Sequence, residues 1–172
     1  MKKILFSDDS ECLSDLHEMV RRQDHRTSIL WALENSMPFV GIFEKYHPED
    51  GRPRTAVTIA REWSQGKVKM PVAKKAIHSA HNAASESGIP AAEAAARTAG
   101  HAAATVHVKT HAMGLVYYGL TAIVRSSPGN ANKKVDDMID ELTKRLEYWS
   151  SFDGKDDLQW ADFILRNDSK KP

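Results

Sequence analysis

The chain has 172 residues, 41% of them hydrophobic and 27% charged, with a net charge of +1. That is the size and balance of one soluble globular domain, with no strong field toward nucleic acid or a membrane surface. Cys12 stands alone, so no internal disulfide forms and a reducing, cytoplasmic setting fits; no apolar run is long enough for a signal peptide or a membrane span.

Ser7-Asp8-Asp9-Ser10-Glu11 supplies capping hydroxyls and acids for a first helix, in which Leu13, Leu16, His17 and Val20 recur at helical spacing. Asp24 is the cap of a second helix carrying Ile29, Leu30, Trp31 and Leu33. Pro38 removes a backbone hydrogen bond and is expected to kink or break that helix before Phe39, Val40 and Phe43. After the loop His47-Pro48-Glu49-Asp50-Gly51, Pro53 opens a helix with Ala56, Ile59, Ala60 and Trp63 on one face, and Gly66 ends it. Pro71 opens another, with Ala73, Ala76, Ile77, Ala80 and Ala84 inward.

Pro90–Arg125 is the longest helical signal. It is rich in alanine, the best helix former, and is closed by Pro128-Gly129. A rod lined by Ala and Gly lets neighbouring helices approach its backbone, so it is expected at the centre. The Ser87-Gly88 connection makes it an antiparallel neighbour of the preceding helix. Beyond it Val135, Met138, Ile139, Leu142, Leu146 and Trp149 mark an amphipathic helix, and Leu158, Ala161 and Leu165 a last short one. No strand-like alternation appears. The expected fold is all-α: a compact bundle of six or seven helices built from antiparallel hairpins around a long central helix at about 90–125. It forms a single domain over 1–166, with a frayed tail at 167–172.

Two groups of residues are candidates for function. His107 and His111 stand at i, i+4, a two-ligand metal spacing, but no Glu completes a protease motif. His101 faces roughly 120° away from His107 on a helix and shares no ion with it. Folding the hairpin about Gly88 puts residue 78 near 98 and 81 near 95, so His78, His81, Arg97 and His101 form a second cluster between two helices. The plain reading is packing histidines hydrogen-bonded to backbone or hydroxyls; the sharper one is a metal or acid–base site. Arg52-Pro53-Arg54 at a helix start suits either a carboxylate or phosphate ligand, or ion pairs with Glu49, Asp50 or another helix's acids.

Trp31, Trp63, Trp149 and Trp160 read as core anchors rather than base-stacking platforms, and Tyr117-Tyr118 points two ways from its helix. Gly-rich phosphate loops, nucleophile elbows and Cys/His zinc patterns are absent from the sequence. Lys133-Lys134 and Lys170-Lys171 are too few for a nucleic-acid patch.

Asp24-His25-Arg26, Leu30-Trp31-Ala32, Arg52-Pro53-Arg54 and Ala60-Arg61-Glu62-Trp63 resemble a bacterial family of immunity proteins, the Imm-five-like type. The resemblance continues through Gly100-His101-Ala102-Ala103-Ala104-Thr105, Val106-His107-Val108, His111-Ala112-Met113-Gly114 and Leu146-Glu147-x-Trp149, about Asp24 to Trp149. It implies a non-enzymatic protein without cofactor or metal that binds and neutralises a cognate toxin. The candidate surface it marks is Arg52, Arg54, His101, His107 and His111, without assigned roles. The alternative function is a small helical metal-binding protein or enzyme using the histidines of the central hairpin. A homo-oligomer built on the small-residue helix is a further reading.

Overall fold

The computed structural model describes residues 4–168, except the side chain of Asn167. Among these residues there is no strand. Nine α-helices follow one another: α1 Ser14–Arg22, α2 His25–Asn35, α3 Met37–Tyr46, α4 Arg52–Ser64, α5 Met70–Glu86, α6 Pro90–Ala104, α7 His111–Ser126, α8 Ala131–Ser151 and α9 Asp162–Asp168. Short 3-10 turns precede α1 and follow α8.

Local chemistry sets most boundaries. Asp24 Oδ1 accepts the Thr27 N–H at 2.7 Å, the capping bond that starts α2. Pro38, Pro53, Pro71 and Pro90 sit in the first turns of α3, α4, α5 and α6, where a missing N–H costs nothing. Pro38 therefore marks a break, the second of the two expected outcomes, and begins a new helix. Gly66 and Gly88 take positive φ just beyond α4 and α5, a conformation that favours glycine.

α6 is the axis. Ala92, Ala95, Ala96, Ala99, Ala102 and Ala103 are fully buried. Three apolar clusters meet on it. Ala102 joins Trp31, Phe39, Leu115 and Leu146; Ala99 and Ala103 join Ile29, Val57 and Trp63; Ala92, Ala95 and Ala96 join Phe43 and Ala83. Only small side chains let α3, α4, α5 and α7 all close on one helix.

The expected rod over 90–125 is two helices. It turns back at 105–110, so α6 and α7 form an antiparallel hairpin, with Arg125 donating to the Pro90 carbonyl across it. Four of those six residues, Thr105, Val106, Val108 and Thr110, are β-branched and favour helix less than the alanines before them. Tertiary bonds hold the corner. His25 Nε2 lies 2.8 Å from the Thr105 carbonyl, and Lys109 Nζ donates to the Gln23 carbonyl at 2.9 Å. This break and the split at Pro38 raise the count above six or seven.

α8 buries Val135, Leu142 and Leu146 and half-buries Met138, Ile139 and Trp149, as its periodicity predicts. α9 reaches Asp168, whose carboxylate accepts from the His25 N–H and from Arg26; residues 169–172 of the expected tail lie outside the described ones. No helix among the described residues is long and apolar enough to cross a membrane.

Candidate functional site

The two arginines at the start of α4 do not meet the histidines. Arg52 pairs with Asp50 at 2.7 Å and with Glu86 of α5 at 2.8 Å; Arg54 pairs with Glu44 of α3 at 2.6 Å. Hydrogen bonds from these guanidiniums hold the Asp50 and Glu44 carboxyls below their usual range. Both arginines tie α4 to its neighbours at the surface.

A histidine cluster does form, with different members from those the hairpin arithmetic predicts. His81 of α5, His101 of α6 and His111 of α7 come together, and the rings of His81 and His111 each lie 5.5 Å from that of His101. Tyr118 stacks on His101 at 5.0 Å and 18°. His78 is exposed outside this group. The predicted register put residue 81 opposite 95, whereas His81 lies against Gly100. Ile89 is extended and carries the chain past the end of α5 before α6 begins, which shifts the pairing. The expected i, i+4 pair of His107 and His111 is also dissolved. His107 lies in the corner at 105–110 and not on α7, and it stacks 6.0 Å from Trp63, although both histidines line the same depression.

Two glycines make room for the cluster. A Cβ on Gly100 would fall 2.6 Å from His81 Cε1, and one on Gly114 would strike the His101 ring. Each imidazole thus lies in a notch on the next helix's backbone.

Burial sets the electrostatics. Desolvation, with neighbouring His81, His111 and Arg97 adding to it, pushes His101 down to about 4. His81 and His111 are lowered for the same first reason. All three are neutral at pH 7. His101 Nδ1 and His111 Nδ1 face each other at 3.4 Å, and the buried His81 Nδ1 has no partner. Arg97 bonds to Glu93 and to Ser85, beside the cluster. Among the described residues no carboxylate hydrogen-bonds to any of the three rings. Among the described residues no three His, Cys, Asp or Glu are placed to hold a metal ion.

The cluster opens on a trough. One lobe, about 330 Å³, is lined by Trp63, Ile77, His78, His81, His107 and His111 among others. A second, about 460 Å³, continues from Trp63, Met70 and His107 to Val68, Lys69 and Phe163. Sequence reasoning placed Trp63 in the core and did not pair it with His107, because the α6–α7 corner was not visible. One signal was available. Between Trp63 and Val135 there are nine Lys and Arg but only two carboxylates, Glu86 and Glu93, whereas the rest of the chain has fifteen and twenty-one. The near-zero total hides two halves of opposite sign.

The chain belongs to the Imm-5 like putative immunity protein family, whose model matches residues 18–148. That span includes the whole histidine cluster and most of the trough. No curated protein and no solved structure matches the chain.

Proposed function

We propose that this protein binds a cognate bacterial toxin and neutralises it by occlusion, without catalysis, in the cytoplasm of the cell that makes it. The observation that carries the reading is the family match over residues 18–148. The rigid α6–α7 hairpin supports it, because a pre-formed helical surface loses little entropy on binding. The surface centred on His81, His101 and His111 and their trough is the favoured contact region. Arg52 and Arg54 serve the scaffold, since both are held in ion pairs.

Co-expression with candidate toxins taken from the neighbouring genes is the direct test. Growth is restored when the protein is present and lost when it is absent. Killing that proceeds unchanged in cells containing folded protein refutes the proposal.

A further inference from the structure

The trough beside the histidines has a chemistry that selects its occupant. Its floor and walls are apolar: Val68 and Ile77 are half-buried, and Met70 is 46% exposed. Its rim carries Lys69 and Lys74, both exposed, and no carboxylate lines either lobe. Among the described residues the lysine ion pairs are those of Lys133 and Lys155, so Lys69 and Lys74 have none. Glu86 and Glu93, the two acids of this half, are engaged by Arg52 and Arg97. α5 also begins here on Lys69, with no side-chain cap, so its positive end faces the same rim.

Other depressions differ. The one between Ile42 and Ile123 contains Asp137 and Glu141, and the one beside His17 contains Asp8. The one at Arg52 has a single unpaired lysine, Lys75, because its arginine is already bound to Asp50 and Glu86. Apolar walls and two unpaired lysines coincide in the Trp63–Met70–His107 trough. Trp63 is only 5% exposed, so it offers no ring face for base stacking, which argues against single-stranded nucleic acid as the occupant.

We infer that this trough docks an acidic segment of the partner protein, with an aliphatic or aromatic side chain seated against Val68 and Met70 and flanking carboxylates meeting Lys69 and Lys74. The inference rests on the reading that the partner is a protein toxin. Apolar burial supplies affinity, and the lysines supply steering and salt-sensitivity.

The test uses the full chain and a fluorescein-labelled peptide with a Leu-Phe-Leu core flanked by Asp and Glu, read by anisotropy at low salt. Its Asn/Gln counterpart and a single-stranded oligothymidylate are run beside it. The acidic peptide is expected to bind about tenfold more tightly than the amide peptide, and K69E/K74E to remove about that factor. M70D is expected to weaken it as well, while K133E/K134E changes it less than about twofold. All the substituted side chains are exposed, and unchanged melting curves confirm folding. Equal binding of acidic and amide peptides overturns the inference. An equal loss in K133E/K134E does too, as does oligothymidylate binding with the same dependence on Lys69 and Lys74. The cellular assay separates the two proposals. Protection kept by K69E/K74E leaves immunity standing and removes the trough. Peptide binding at the trough without protection in cells does the reverse.

Discussion

The α2–α8 seam and the histidine cluster both place polar groups inside an apolar bundle, and they treat them in opposite ways. At the seam Trp31 is fully buried and donates to the Leu142 carbonyl at 2.9 Å. Beside it Glu34 accepts from Trp149 Nε1 at 2.6 Å and from Arg145, whose guanidinium also covers the Tyr148 ring. Every group there has a partner. In the cluster one buried nitrogen has none, two Nδ1 atoms share a long contact, and no carboxylate is at hand. Satisfied polar groups rigidify a fold, whereas unsatisfied ones weaken it and are retained where something else needs them. The contrast sets a fully partnered seam against a cluster with an unpartnered nitrogen beside an open trough, where the proposed recognition surface lies.

Substitutions sharpen the contrast. Trp31→Ala is expected to cost about 3–5 kcal/mol in urea unfolding, from lost burial and a cavity in the largest apolar cluster. A loss under about 1 kcal/mol would show that the seam is not the structural side.

Acid acts on the other side. His101 has a folded pKa near 4, against about 6.5 unfolded. With the folded value lowered, the unfolded chain binds more protons between the two. Stability is thus complete above about pH 6.5 and falls as pH drops toward 4, on the order of 2–3 kcal/mol for this group. His81 and His111, also lowered, add in the same direction. Urea midpoints measured across that window should decline in the wild type and decline less in His101→Gln; equal slopes would detach the effect from the cluster.

Gly114→Ala places a methyl group in the His101 ring. Direct contact with the ring atoms puts the overpacking at about 2–3 kcal/mol, and subtracting about 1 kcal/mol of helix propensity leaves a net loss near 1–2 kcal/mol. Thermal melts at pH 7.5 check it, and no change would mean that His101 can leave its notch freely. The smallest effect belongs to His81→Leu, expected to be neutral or to stabilise by up to about 1 kcal/mol, because it deletes a buried nitrogen without a partner. A marked loss would reveal a hydrogen bond that this geometry lacks. Added zinc should leave the melting temperature of untagged protein unchanged, since only two Nδ1 atoms converge. A clear rise would favour the metal-binding reading.

The candidate site was only partly legible. His81, His101 and His111 each stood out as histidines near alanine-rich helix faces, but two steps misplaced their partners. A hairpin register counted from Gly88 ignored the extended Ile89 and put His81 opposite residue 95. Continuous helix through Thr105–Thr110 kept His107 with His111, when β-branching and the His25 and Lys109 bonds turn the chain there. Tyr118 and Trp63 were legible only as packing aromatics, because their histidine partners come from other helices.

What the amino-acid order determined by itself was local. It set the helical class, the starts at Asp24 and the prolines, the stops at Gly66 and Gly88, and the greasy stripe of α8. Each depends on a residue's own backbone preference or on neighbours within a few positions. Which imidazoles meet, which arginines are consumed in ion pairs and where the acid-poor half opens to solvent were decided by tertiary structure. Apart from local pairs such as Arg52–Asp50, those relations join residues ten or more positions apart, and a shift of one helical turn between two helices is enough to change them.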